Sequence, residues 1–205
     1  VDPATRGAEM EDRLAVLQAA LAGDAVTWRG RTARVRPRPF TPGGPRLAYG
    51  GGTPAAARRA ARFGLDFIGE ADRADLADAY AGEAARVGRE PGACLVPSKA
   101  SPSSVFVAED VEAAWAAMGA HLLHDARAYG AWLGNDHDAV TRSSATTVEE
   151  LRAEGGSYRI VTPEQAVELI RANGYLGLQP LCGGLAPDLA WSSLRLIADE
   201  VLPNL

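Results

Sequence analysis

Lysine is almost missing from this chain: of 21 basic residues among 205, Lys99 is the one lysine and the rest are arginine. Cysteine is nearly as scarce, with Cys94 and Cys182 far apart and no CxxC pair. That leaves neither as a good nucleophile candidate. Both cysteines sit in apolar, strand-like stretches, so they are expected to be buried and reduced. No apolar run approaches the ~18 residues that cross a bilayer. The opening Val1-Asp2-Pro3-Ala4-Thr5-Arg6 has no charged head leading into an apolar core, so it does not read as a secretory leader. The 22 glycines and 13 prolines follow no fixed period, which excludes a collagen-like or repeat architecture. The net charge of −5 leaves no basic excess for nucleic acid or an anionic membrane. The expectation is a cytoplasmic protein that binds neither, and its alanine- and arginine-rich composition reads as bacterial.

What is present is core material: 47% hydrophobic and 23% charged residues, enough for a globular domain. Met10, Leu14, Leu17 and Leu21 recur at helical spacing within 6–22, and Gly23 ends that helix. Val26-Thr27-Trp28 and Ala33-Arg34-Val35-Arg36 predict a β-ribbon turning at Arg29-Gly30-Arg31. Its alternating Arg34, Arg36 and Arg38 form a solvated row or a grip on phosphate. Pro37, Pro39, Pro42 and Pro45 make a stiff connector.

From residue 46 strands alternate with helices, which implies parallel pairing. Leu47-Ala48-Tyr49 leads to a glycine turn, Thr53 as N-cap, Pro54 as first helical residue and a helix ending at Gly64. Leu65–Ile68 precedes a helix over 72–87. Ala93–Val96, resumed at Val105–Val107, precedes a helix from Asp110 to about Leu133 with Trp115, Met118 and Leu122 on one side. Residues 135–157 form a polar excursion with a short helix near 148–151, and Thr162 starts a further helix. Tyr175–Leu181 predicts the last strand, and a final helix runs over 186–201. The four tryptophans, Trp28, Trp115, Trp132 and Trp191, read as core or interface residues. The expectation is one α/β domain over 1–205: a helix, ribbon and proline-rich connector over 1–45, then four βα units over 46–205. A full (β/α)8 barrel needs ~250 residues, so the pattern reads as a partial TIM-type barrel, its C-terminal part.

These motifs, in this order, carry a resemblance. The helix from Arg6 to Leu14 and the ribbon at Val26–Gly30 come first. Tyr49-Gly50-Gly51-Gly52-Thr53 with its alanine-rich helix and Val105–Asp110 follow. Pro180-Leu181-Cys182-Gly183-Gly184-Leu185-Ala186-Pro187-Asp188, through Trp191 to Pro203, closes the series. The chain is similar to the bacterial-luciferase-like flavin-dependent oxidoreductases and monooxygenases, which are (β/α)8 barrels using FMN or the deazaflavin F-420. The resemblance implies a small organic substrate, a homodimer or pairing with a missing N-terminal half, and a cofactor phosphate near Gly50–Thr53. It names no catalytic residue.

Two candidate cofactor-binding turns follow. Gly50, Gly51, Gly52 and Thr53 would let backbone N–H groups at a helix start approach an anion; the alternative is an ordinary capped βα turn. Gly183 and Gly184 hold the corresponding place after the last predicted strand; the alternative is a glycine turn packing helix on strand. Arg58, Arg59 and Arg62 are expected on the surface. Lys99, with Ser98 and Ser101, sits in a loop that meets either solvent or an anion. His121, His124 and Asp125, with Asp136-His137-Asp138, lack the inward geometry of a metal site. Two other classes remain: a non-catalytic flavin-binding or self-associating half-barrel module, and an arginine-ribbon interaction protein.

Overall fold

A computed structural model describes residues 2, 4–133 and 139–205. It divides into two compact units, Val1–Gly69 with Arg73–Val96, and Glu70–Asp72 with Pro97–Leu205.

The first unit opens with α1 (Arg6–Ala22), closed by the left-handed Gly23. An antiparallel hairpin follows, β1 (Ala25–Trp28) paired to β2 (Arg31–Arg34). Its turn is the dipeptide Arg29-Gly30, both at positive φ, the backbone a two-residue hairpin needs. The hairpin therefore ends at Arg34, and of the expected arginine row only Arg34 lies on a strand.

Three parallel strands come next, in the order β3 (Ala48–Gly51), β4 (Asp66–Gly69) and β5 (Cys94–Leu95). Helix α2 (Pro54–Phe63) connects the first two and α3 (Ala74–Arg86) the last two. Ala56, Ala57, Ala60 and Ala61 on α2 are buried, and so are Leu76, Tyr80 and Ala84 on α3. Small side chains let the helices lie close to the sheet. Phe67 of β4 is fully buried beneath them, its ring stacked 6.1 Å from that of Tyr80, whose hydroxyl donates to the Leu65 carbonyl at 2.8 Å. The opposite sheet face is open. Gly50, Ile68 and Leu95 share one row by register, and Ile68 and Leu95 are 46% and 41% exposed.

Arg59 and Arg62 are not free surface charges. Both donate to Glu11 of α1, at 3.2 and 2.5 Å, and Arg62 also donates to Glu83 of α3 at 3.2 Å. The Glu83 carboxylate, 7% exposed, also takes two bonds of 2.8 Å from Arg86. Arg86 foremost, then Arg62, holds its pKa down at about 2 against the penalty of burial. A depressed folded-state pKa stabilises above the unfolded value of 4.5 and ceases to do so as pH falls toward 2. The urea midpoint is therefore expected to fall between pH 5 and pH 2.5, and less steeply in Glu83→Gln. Equal slopes in the two proteins would refute this reading.

The second unit pairs β6 (Ser104–Val107) with β7 (Tyr158–Val161), again parallel. Helices α4 (Val111–Leu133), α5 (Val148–Glu154), α6 (Pro163–Asn173) and α7 (Pro187–Leu196) surround the pair; a π-helical turn, Ile197–Val201, continues the last. Both sheet faces are covered, as parallel pairs require. Phe106, Tyr158 and Ile160 pack on Trp115, Met118 and Leu122 of α4. Val105, Val107 and Val161 face Val167 of α6, with Ile197 and Val201. Asp110, Thr147 and Thr162 cap their helices, the last two through complete capping boxes. Among the described residues no helix is long and apolar enough to cross a membrane.

Three strand expectations change. Cys94–Leu95 and Ser104–Val107 are not one interrupted strand, for the first pairs with β4 and the second with β7 in a separate sheet. Tyr158–Val161 is a strand although Arg159 interrupts its apolar pattern; that guanidinium is satisfied by the carbonyls of Gly156 at 2.7 Å and Ala100 at 2.5 Å. The stretch 175–181 is not a strand. Its backbone hydrogen bonds to this region run through Gly177, whose N–H donates to Pro102 and whose carbonyl accepts from Val105 of β6, both at 2.9 Å. A 3-10 turn, Cys182–Gly184, follows.

Candidate functional site

The C-terminal edge of β3–β4–β5 carries the first glycine turn. Gly50 and Gly51 are strand residues, not turn residues, and none of Gly50, Gly51 and Gly52 has a positive φ. What requires glycine at 51 is proximity: an added Cβ would lie 2.6 Å from that of Ala56. Directly across the register stands Gly69, so two strand ends meet there without side chains. Thr53 has extended backbone geometry, and its hydroxyl accepts from the Ala56 N–H at 3.3 Å. Pro54 occupies the first turn of α2. That first turn has no acidic side chain, whereas α1 and α3–α7 each carry one or two. Pro54 has no N–H and the Ala56 and Ala57 N–H groups donate to Thr53, so the first turn offers the Ala55 N–H at a positive dipole end with no local negative charge, beside an open apolar row of Ile68 and Leu95. Such an edge can take an anion at the helix start and a flat apolar group against the sheet.

The second turn is built by packing. Gly183 has φ +57, and a Cβ there would come within 1.9 Å of the His121 carbonyl oxygen. His121 Nδ1 in turn lies 3.1 Å from the Gly183 carbonyl. Gly184 has φ +75 with nothing within 4 Å of where a Cβ would stand. His121 is thereby committed to the turn and His124 is exposed. Asp125 instead accepts from the buried Tyr158 hydroxyl at 2.9 Å. Among the described residues no three metal-ligating side chains converge; Asp136, His137 and Asp138 lie outside the described residues.

Cys182 is buried, as expected, but on a 3-10 turn. Burial foremost, then the Asp125 carboxylate, pushes its thiol up to about 12, so it is no nucleophile at neutral pH. The same two causes raise the Tyr158 phenol. Cys94 departs from the expectation: it is exposed, because β5 is a two-residue strand at the sheet edge. Of the four tryptophans only Trp115 is in the core; Trp28, Trp132 and Trp191 are 37%, 86% and 56% exposed. An aromatic thiol reagent at pH 8 is accordingly expected to titrate one cysteine in the native protein and two after denaturation. Two fast equivalents without denaturant would contradict the placement of Cys182.

Lys99 lines a hollow of about 320 Å³ with Thr141, Arg142, Ser143 and Glu154. Its backbone N–H donates to Asp72 at 3.1 Å. Ser101 is buried and accepts from the Ser98 N–H at 2.9 Å, closing the loop and not facing a ligand. Sequence reasoning missed the Asp125–Tyr158 pair, because the strand carrying Tyr158 was itself hidden by Arg159.

A family model for luciferase-like monooxygenases matches residues 1–179. The chain belongs to that family. No curated protein matches it. Among solved structures, the luciferase-like chain is similar to the oxygenating constituent of 3,6-diketocamphane monooxygenase from the CAM plasmid of Pseudomonas putida. That protein is a type II Baeyer–Villiger monooxygenase solved in complex with FMN. The TM-score is 0.52 at 16% identity, over 95% of this chain and 62% of that one. The likeness shows a fold of the TIM-barrel type, consistent with the mixed α/β order and parallel pairings, and the chain spans less than two thirds of that relative's length.

Proposed function

We propose that this luciferase-like chain is part of a flavin-dependent monooxygenase acting on a small organic substrate, with FMN as its cofactor. Family membership supports the flavin, and one structural observation carries the assignment of place: α2 begins, without any acid in its first turn, at a side-chain-free strand end. The Ala55 N–H and the positive end of the α2 dipole would hold the FMN phosphate, and Gly51 and Gly69 keep the strand ends low beneath it. Ile68 and Leu95 offer an apolar wall for a ring system and exclude water from it. When bound, reduced FMN supplies the electrons for O₂ chemistry; the protein positions and shields it. Within its own unit the open Gly184 is proposed as a second point of close ligand approach. We also propose that the chain is the C-terminal part of a (β/α)8 barrel in a single domain, a reading supported by the open sheet face and the share of the relative it spans.

The test is a fluorescence titration of the purified chain with FMN, with riboflavin as the phosphate-free control and F-420 in parallel. FMN is expected to bind at least ~10-fold more tightly than riboflavin, the worth of charge-assisted bonds to a phosphate. Equal affinity for FMN and riboflavin would remove the anion site at Thr53. Binding of F-420 alone would replace the oxygenase reading with hydride transfer.

A further inference from the structure

Away from the strand ends, α1 and the β1–β2 hairpin leave a groove of about 450 Å³. Its floor is Met10, Leu14, Leu17, Val26, Trp28 and Ala33. Register explains the composition: Val26 is paired with Ala33 and Trp28, two residues on, with Arg31, so one hairpin face is apolar up to an arginine at its end. Much of this surface meets water, with Met10, Leu17 and Trp28 at 37%, 45% and 37% exposure. Leaving it so costs about 25 cal/mol for each Å².

The rim is basic. Arg13 lines the groove, Arg29 and Arg31 line an adjoining hollow that shares Val26, Trp28 and Ala33 with it, and the Arg29 guanidinium stacks 4.4 Å over the Trp28 ring. Arg13 and, more loosely, Arg29 share Glu9, at 2.6 and 3.9 Å. Arg31, on the same hairpin face as Trp28, is exposed, as are Arg36 and Arg38 beyond the strand and Arg34 on the opposite face, and no ion pair engages these four among the described residues. The charge is concentrated: residues 25–65 hold nine arginines and no aspartate or glutamate, so all 26 acidic side chains of this net-negative chain lie elsewhere.

We propose that this groove docks an amphipathic helix of a partner protein whose apolar stripe is flanked by aspartate and glutamate. The floor accepts side chains at helical i, i+3, i+4, i+7 spacing, as helix-in-groove recognition requires. Arg31 and Arg29 receive the acidic flanks, which supply orientation and on-rate. Nucleic acid fits less well, because the centre of the surface is an aliphatic trough with one indole and not a row of stacking faces. A lipid surface fits less well because the apolar residues line a groove and not a convex crest. This docking surface is independent of flavin binding.

The experiment follows the fluorescence anisotropy of a labelled synthetic helical peptide of about five turns, with leucines on one stripe and glutamates on both flanks. A twin peptide with lysine for glutamate, a labelled single-stranded DNA and phosphatidylserine-containing vesicles run beside it. The glutamate peptide is expected to bind, and to weaken several-fold when salt rises from 0.05 to 0.5 M, as screening requires. Leu17→Asp and Arg31→Glu are each expected to weaken it at least ~10-fold, the loss of one good contact. FMN affinity and the circular-dichroism spectrum should stay unchanged. Equal binding of the lysine twin, or no binding of the glutamate peptide, would overturn the proposal. So would DNA or vesicles binding more tightly than the peptide. Arg31 is a solvated strand residue, so its variant folds and keeps the test decisive if Leu17→Asp does not.

Discussion

Gly183→Ala is expected to destabilise the protein by about 3 kcal/mol or more, through two terms that add. The new methyl would stand 1.9 Å from the His121 carbonyl oxygen, so the turn or α4 must move. The residue would also keep φ near +57, where an L side chain is strained. Gly184→Ala is the matched control. It retains a left-handed φ of +75 but meets nothing within 4 Å, so it should cost only the backbone term, about 1–2 kcal/mol. Urea melts of the two variants would separate the terms, and the thermal midpoint of the first should fall by ~6–12 °C for a chain of this size. Equal losses in both would show that the close approach of Gly183 to α4 does not govern this turn.

Thr53→Asp is expected to abolish FMN binding while leaving the fold alone. Aspartate caps a helix as well as threonine does, so α2 should keep its start and its stability to within about 0.5 kcal/mol. The added carboxylate, however, would sit where the proposed phosphate is held. Charge repulsion at such separations costs about 2 kcal/mol or more near a protein surface, so FMN affinity should fall at least ~30-fold. Riboflavin, with no phosphate, should be affected little. Thr53→Ser should preserve both cap and binding. If Thr53→Asp binds FMN as the parent does, the cofactor phosphate lies elsewhere and the assignment of Gly50–Thr53 fails, whatever the fate of the docking groove.

Much of the local architecture was legible in residues 1–205 because each signal acts over a few neighbours. Apolar spacing and Gly23 bounded α1; Thr53-Pro54 and Gly64 bounded α2; Thr162-Pro163 with Gln165 opened α6. Alternation of strands with helices stated parallel pairing, and β3–β4–β5 and β6–β7 are parallel. The order of motifs, from Arg6 to Trp191, pointed to the family. Where the local signal misled, a long-range contact decided. Arg159 disguised β7, because only in the folded chain do the carbonyls of Ala100 and Gly156 satisfy a guanidinium there. Residues 175–181 carry strand-like apolar residues but pair through a single glycine.

The same division holds for function. The residue types themselves showed that no long apolar span was present, and that glycines and a capping threonine stood before an alanine-rich helix. Only tertiary structure decided what those glycines face: Gly51 stands across the register from Gly69, and Gly183 meets a carbonyl of a helix more than sixty residues earlier. It also decided that Arg59 and Arg62 answer to Glu11 and Glu83, that Cys94 reaches solvent, and that Trp28 floors an open groove. Secondary structure follows from interactions between near neighbours, which a linear pattern records. Burial, ion pairing and close approach join residues distant in the chain, and no spacing along it records them.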